Sequence, residues 1–590
     1  MLPLSVRGWL RTLARFAAPP PEEGAQAVQP PSTGAQPGGS PIVKEVVDNA
    51  TTPAGARAAL DEYDQALQAL AGKGRVRYRA GQLEGAQQAL QRIEISPSLG
   101  TSVKILQELF TDCADVIMRG LLVGGERPAV LIFLDGLVSE DRLELNILAP
   151  LTQGPPPDGA SIDLGKWLEG VALAAKEART VQTIGQAVEA VLVGDSVLLM
   201  EGVGHGLVLS TRFWPQRAIE EPVSEANIRG PRDGFIETLR TNTMLLRRRI
   251  KSPHLKFEHA VIGRRTRTDV VITYVKGITN PDLLAEVRSR LARVDIDALL
   301  DSGMLEEFIE DQPFTPFPLL MSTERPDRVS AGLLSGQVAL LVDGSPTVLL
   351  LPVTFWHFMK ASEDYYSRFW IGTLVLWLRF LFLMLSLLGP SLYVAITSFH
   401  QEMIPTNLLL SIAAAREGIP LPVLIEALIM EVFFEALREA GIRLPRQIGQ
   451  AVSIVGALVI GEAAVRAGLA SAPVVIIVAA TGIASFTIPQ YQMGLTFRLL
   501  RFPIMFAAGI LGLFGIMVTL VAILVHLCAL RSFGVPYLQP VAPLDFAGLK
   551  DTLMRAPLWL MGRRPGFPAP VNPQRQSPRL KPGPPGGGSS

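Results

Sequence analysis

Several ionisable residues fall inside runs that otherwise read as hydrocarbon-compatible. Glu426, Glu431, Glu435 and Arg438 lie in the apolar run 423–440, and Glu462 lies in another at 448–469. On a helix, Glu431, Glu435 and Arg438 share one face at i, i+4 and i+7 spacing, with Ile425, Leu428, Ile429, Val432 and Phe433 opposite. An ionised group in hydrocarbon costs ~2.5 kcal/mol or more, so that face cannot turn to lipid. Three placements stay open: a pore-lining helix, a re-entrant segment, or an interfacial helix that does not span. Carboxylates ringed by several subunits favour cations. A pore-lining placement would put Glu431 and Glu435 beside an aqueous path, with Arg438 as partner. Glu462 is expected to face a helix neighbour or an aqueous path. Gly456, Gly461, Ala463, Ala464 and Ala467 around it allow close helix contact.

A second charged set is basic and lies outside the apolar runs. Arg247, Arg248, Arg249, Arg264 and Arg265, with Lys251 and Arg267, crowd the polar stretch 220–268. They read either as a solvated, ion-paired face, with acids such as Glu220 and Glu221, or as a subunit-interface or membrane-facing patch. Nucleic acid is disfavoured, because no aromatic residues interleave with the arginines and the net charge is +0. No Walker A, H-E-x-x-H, C-x-x-C or G-x-S-x-G motif occurs. The 2 cysteines, Cys113 and Cys528, cannot build a metal motif and are expected to be small buried hydrophobes. The 6 histidines are scattered, and Gly202, Gly204 and Gly206 read as turn chemistry. No catalytic, cofactor-binding or metal-binding residue is assigned; no cofactor is expected, and the chain does not read as an enzyme.

The elements that must position these residues divide the 590-residue chain. Residues 1–55 read as a disordered segment with a possible amphipathic start, and 56–95 as a helical hairpin. Arg7, Arg11 and Arg15 interrupt any signal-peptide core, so the non-membrane part is expected in the cytoplasm. From about Ser98, helices and short strands alternate as in an α/β or α+β arrangement. The run Ala129 to Leu134 reads as a buried strand. An internal echo supports two subdomains, at 96–215 and 216–360. Leu192 to Gly202 and Leu334 to Gly344 align glycine with glycine, a Leu-Leu pair with a Leu-Leu pair, and an acidic-Gly turn with the same. Each is followed by another β-type run, as in two hairpins of one design.

The region 361–545 holds five hydrophobic segments, at roughly 371–397, 423–440, 448–469, 473–490 and 504–529, enough for an all-α polytopic membrane domain. Four to six crossings fit. Five place Arg438, Arg443, Arg446, Arg498 and Arg501 inside but export Arg531 and the basic tail; four do the reverse for Arg498 and Arg501. The Pro-, Gly- and Arg-rich tail, 546–590, is expected to be disordered.

Long polar strings in fixed order resemble the GerA family of spore germinant-receptor A subunits. They include Glu221-Pro222, Ile228-Arg229-Gly230-Pro231-Arg232-Asp233-Gly234-Phe235, Asn242, Leu246-Arg247-Arg248-Arg249-Ile250, Gly263-Arg264-Arg265-Thr266 and Thr323-Glu324-Arg325-Pro326-Asp327. Others are Ile309-Glu310-Asp311, Phe317-Pro318, Glu363-Asp364-Tyr365-Tyr366, His400-Gln401-Glu402-Met403-Ile404-Pro405, Arg416-Glu417-Gly418, Arg438 to Pro445 and Gly456 to Gly461. The likeness covers about 98–545. Cys113-Ala114-Asp115 departs from it where a Gly/Ser-type turn is expected, and so does Glu462, where glutamine is common. The resemblance implies a multi-pass protein of the bacterial spore inner membrane that assembles with receptor B and C subunits. The B subunit is the better holder of the small nutrient germinant. The A subunit is expected to form a homo-oligomeric, ligand-gated ion channel in contact with membrane lipid. The resemblance also implies two α/β subdomains in the soluble part. Two other classes stay open: a secondary transporter with broken helices near Pro420 and Pro489, and a non-conducting scaffold of a membrane sensor.

Overall fold

The computed structural model describes residues 90–124, 127–153, 178–213, 222, 225, 227–443, 461–577 and 580–582. The expected segment at 1–55, nearly all of the hairpin at 56–95, and residues 444–460 of the third apolar run lie outside them.

Two five-stranded sheets form the first part of the described chain. The first follows helix α1 (Leu99–Leu109) and contains β1 (Val116–Val123), β2 (Arg127–Leu134), β3 (Ala178–Val181), β4 (Ser196–Met200) and β5 (Gly206–Leu209), with α2 (Ile184–Val193) before β4. The second follows α3 (Leu239–Arg249). It contains β6 (Leu255–Ile262), β7 (Thr268–Val275), β8 (Met321–Thr323), β9 (Val338–Val342) and β10 (Val348–Leu351). Helices α4 (Pro281–Ala292), α5 (Ser302–Ile309) and α6 (Pro326–Leu333) are interspersed. Both sheets are antiparallel and share one strand order: first, second, fourth, fifth, third.

The strand β2 reads as an unbroken apolar run because both of its faces are covered. Val130, Ile132 and Leu134 join the core under α1 and α2. Ala129, Leu131 and Phe133 meet Leu143, Ile147, Leu148 and Leu151 on the other face. That partition is the period-2 alternation of a strand applied to a doubly buried sheet. The echo between the two halves has a backbone cause. Gly194 (φ 99°) and Gly336 (φ 101°) end the helices before β4 and β9, and Gly202 (φ 85°) and Gly344 (φ 81°) turn the hairpins after them. All four occupy the left-handed region that a Cβ penalises.

The two subdomains are pinned together by buried cations. Arg247 of α3 is 1% exposed and donates through Nε and Nη2 to Asp115 at the start of β1, both at 2.7 Å. Lys256 of β6 donates to the carbonyls of Leu109 (3.2 Å) and Thr111 (2.5 Å), and Arg240 pairs with Asp135.

The remainder is helical: α7 (Phe369–Phe399), α8 (Thr406–Arg416), α9 (Val423–Arg443), α10 (Ala472–Ser485) and α11 (Tyr491–Ala529). Helices α7 and α11 are long and apolar enough to cross a membrane. Their outer faces carry Leu374, Trp377, Leu381, Phe514, Val521 and Val525, all more than half exposed, as hydrocarbon contact requires. The last apolar segment begins at Tyr491 rather than 504, so Arg498 and Arg501 are helical, not loop residues. Helix α11 is not straight. Gly512 has φ 63°, ψ −141°. Phe317 lies 6.2 Å from the Phe497 ring and 6.1 Å from His526, one on either side of that glycine. The helix therefore folds back at Gly512 into two arms, each of roughly 17–21 residues and 26–32 Å. Cys528, expected to be buried, is exposed on the second arm.

The tail also differs from expectation. Residues 546–577 pack on the second subdomain instead of standing free. The Val571 amide donates to the Ile278 carbonyl at 2.9 Å, and Arg564 donates to the Leu334 carbonyl at 2.7 Å. Proline-rich composition concealed an ordered strap, held by the Val571 amide and by the side chains of Asp551, Arg555 and Arg564.

At Gly202 and Gly344 nothing lies within 4 Å of where a Cβ would sit. Substitution there tests the backbone alone. Gly202→Ala and Gly344→Ala are each expected to destabilise the protein by about 1–2 kcal/mol, read as a lowered melting temperature of the full-length protein in detergent. Unaltered melting of both variants would contradict the left-handed turns.

Candidate functional site

Glu431, Glu435 and Arg438 meet Arg498 and Arg501 in one cluster. Glu431 of α9 is 1% exposed and Arg501 of α11 is 0% exposed, and Arg501 Nη1 stands 2.5 Å from Glu431 Oε2. Arg501 Nη2 donates to Ser386 Oγ of α7 at 3.0 Å, and Thr481 Oγ1 of α10 donates to Glu431 Oε1 at 3.5 Å. Four helices thus share one buried ion pair. One turn along, Glu435 (28% exposed) accepts from Arg498 Nη1 at 3.0 Å and has Arg438 Nη1 at 3.7 Å. Arg438 donates to Ser485 Oγ at 2.7 Å and stacks over Phe434 and Phe486, at 5.0 and 4.6 Å. Glu426, fully buried, accepts from the amide and hydroxyl of Ser471, with Arg416 Nε at 3.6 Å. Sharing the charge across these donors is what allows carboxylates to sit among apolar helices.

The principal cations here are not those the sequence suggested. Arg438 is a lesser partner of Glu435, while Arg501 and Arg498 take the main positions. Their signal was present as two arginines at i, i+3 beside an apolar run. It was missed because the helix seemed to begin after them. Glu462 stands apart from the cluster, 57% exposed and paired with Arg466 at 2.5 Å.

The basic set of the soluble part does not form one patch. Arg247 is interior, as described. Arg249 pairs with Asp233 at 2.5 Å, and Arg248 is exposed on α3. At the far end of β6, Arg264 pairs with Asp295, and Arg265 with Asp297 at 3.9 Å. The strand between these groups separates them, and the pairing aspartates come from three different segments. Buried Arg325 ties other polar strings together. It holds Asp327 (2.9 and 3.1 Å) and donates to the carbonyls of Glu225 (3.1 Å) and Pro231 (3.0 Å), while Tyr366 OH donates to Asp327 at 2.6 Å.

Helix α11 is gripped by the second subdomain at both ends. Gln490 Nε2 donates to the Ser322 carbonyl at 2.6 Å, and Thr496 donates to the Pro316 carbonyl. His526 Nε2 lies 2.9 Å from Thr315 Oγ1, and Tyr537 OH donates to the Pro318 carbonyl at 2.9 Å. Gln492 also reaches Glu306 of α5 at 3.4 Å. Burial pushes the Glu306 carboxyl up to about 7, with Glu310 and Asp301 adding to it. Glu310 is likewise raised to about 7 by burial beside Glu307 and Asp311. Among the described residues no group of three His, Cys, Asp or Glu side chains converges as a metal site would require.

A two-subdomain α/β head gripping apolar helices around a buried charge cluster defines a membrane protein with a head built to hold its helices. A model of the Bacillus/Clostridium GerA spore germination protein family matches residues 104–567, and the chain belongs to that family. That match extends past 545 into the ordered tail. The chain is 45% identical over 492 residues to the uncharacterized membrane protein YfkQ of Bacillus subtilis (strain 168), covering 83% of this chain and 94% of that one. It is 43% identical to spore germination protein KA of the same organism, covering 83% and 90%. The solved N-terminal domain of the A subunit of the Bacillus megaterium spore germinant receptor GerK3 is 30% identical, with a TM-score of 0.36, covering 44% of this chain and 97% of that one.

Removing one partner of the buried pair leaves an uncompensated charge, at about 3–5 kcal/mol. Arg501→Met is expected to lower the unfolding temperature in detergent more than the double variant Glu431→Met/Arg501→Met does. A double variant as unstable as the sum of the singles would show that the two side chains do not act as a pair. A carboxyl raised on folding binds its proton more tightly in the folded state. Its contribution to stability therefore falls as pH rises from about 4.5 to about 7 and is flat above. Melting temperature against pH should show that decline, and Glu306→Gln/Glu310→Gln should flatten it; an undiminished slope would assign the effect elsewhere.

Proposed function

We propose that this protein is the A-type membrane subunit of a nutrient germinant receptor, non-enzymatic, and that copies of it assemble around a gated ion path. The carrying observation is the Glu431–Arg501 pair inside a chain of the GerA family. A scaffold needs no charge at that depth, whereas an ion path needs carboxylates it can present and withdraw. Receptor B and C subunits are the proposed partners, with the germinant acting through them. The proposed location is the spore inner membrane, crossed several times, with the head in the cytoplasm.

The mechanism follows from how the charges are held. In the closed arrangement Arg501 and Arg498 neutralise Glu431 and Glu435. The head grips α11 at Gln490, Thr496 and His526, so a displacement of the head moves the arm that carries both arginines. Sliding that arm withdraws the cations from α9. Glu435, already part-exposed and one turn from Arg438, is the first carboxylate freed. A ring of such carboxylates from several copies would admit cations. Two packings of the same helices, biased by a ligand elsewhere in the complex, are sufficient for gating.

A scaffold reading has one observation in its favour, since the pair also serves packing within a single chain. The two separate in spores. Glu431→Gln with Glu435→Gln, at unchanged receptor abundance, is expected to slow cation release at least severalfold on addition of nutrient. Wild-type release from that variant would defeat the ion-path reading and leave the scaffold.

A further inference from the structure

The ordered tail closes a cavity of about 600 Å³ against the second subdomain and the linker that leads to α7. Its walls come from α6, from residues 354–366 and from residues 540–575. The lining holds six cationic side chains, Arg328, Lys360, Lys550, Arg563, Arg564 and Arg575, against two carboxylates, Asp327 and Asp551. Asp327 is fully engaged, whereas Asp551 is engaged through Oδ2 only and its Oδ1 is buried without a hydrogen-bond partner. Asp327 is bound by Arg325 and Tyr366; Asp551 accepts from Lys360 Nζ at 2.8 Å and Tyr365 OH at 2.7 Å. Arg328 is held by Gln490, by the carbonyls of His357 and Lys360, and by Glu225 at 3.7 Å.

Four cations are left over. Among the described residues no carboxylate pairs with Lys550, Arg563, Arg564 or Arg575. Arg564 is fixed by neutral acceptors alone, the carbonyls of Leu334 (2.7 Å), Asn572 (3.0 Å) and Gln574. Burial, with the neighbouring Arg575 adding to it, pushes its guanidinium down to about 10. Guanidinium groups bind the oxygens of phosphate in a fork. Arg564 is held in place by its carbonyl contacts, while Arg563 and Arg575 are exposed and, among the described residues, keep all their donors free for an anion.

We propose that this cavity is a binding site for a phosphate-bearing anion, held by Arg563 and Arg575 beside the carbonyl-anchored Arg564, with Lys550 at its mouth. Two sources share that chemistry, a phospholipid headgroup and a soluble phosphate compound. The rim favours the headgroup. Phe369 opens α7 just beyond the cavity's Tyr366, and Trp370 (74% exposed), Leu558 (49%) and Leu560 (50%) stand out around it, as at a bilayer interface.

Full-length protein in phosphatidylcholine nanodiscs is titrated with inorganic pyrophosphate by calorimetry. In parallel, its melting temperature is compared in nanodiscs with and without phosphatidylglycerol. At least one probe is expected to bind or stabilise. Arg563→Gln/Arg575→Gln, whose side chains make no hydrogen bond among the described residues, should weaken that response about tenfold while keeping the fold. Response to pyrophosphate alone assigns a soluble ligand, and response to phosphatidylglycerol alone assigns a headgroup. No response to either probe, or an equal response from the double variant, overturns the site.

Discussion

A carboxylate cut off from water needs a cation brought to it, and in this protein Arg501 is brought to Glu431. The pair is almost wholly inaccessible to solvent, and its remaining donors and acceptors come from Ser386 and Thr481. No one helix can satisfy it, so α7, α9, α10 and α11 have to stay in register. Truncating either partner strands a charge, whereas an apolar pair of similar volume would pack without that liability. That such a costly device lies inside an apolar bundle is the physical reason for seeking a function there.

The head is built on the same logic at a different site. Arg247 is as enclosed as Arg501 and joins the two halves through Asp115. Lys256 adds backbone carbonyls of the first half to the second. The halves repeat one strand order, but among the described residues the hydrogen bonds to the helical part come from the second, at Ser322, Pro316, Thr315 and Pro318.

Much of the head was legible in the sequence. The twin hairpins showed because glycine at a left-handed turn has few substitutes, and four such glycines fall in matching places. The strand β2 showed because burial on both faces leaves an unbroken apolar run. The helical part was harder to read. Hydropathy marks apolar stretches but not their bends, so the fold-back at Gly512 was hidden inside one long run. Arg498 and Arg501 were set aside as loop charges because isolated segments carry no record of partners on other helices. In the basic stretch, sequence proximity suggested a patch, yet Arg247 and Arg264 lie at opposite ends of a strand and answer to different aspartates. The tail's composition hid a strap that docks through a few particular contacts, from Asp551, Arg555, Arg564 and the Val571 amide, which composition does not encode.

The docked tail fixes parity. Residues on either side of the apolar helices, Leu334 and Ile278 before them and Arg564 and Val571 after them, are hydrogen-bonded to one another. A bilayer threaded through the bundle would then be crossed an even number of times. The arginines at 498 and 501, which an even count would strand on the wrong side as loop charges, raise no objection once they are neutralised within the bundle.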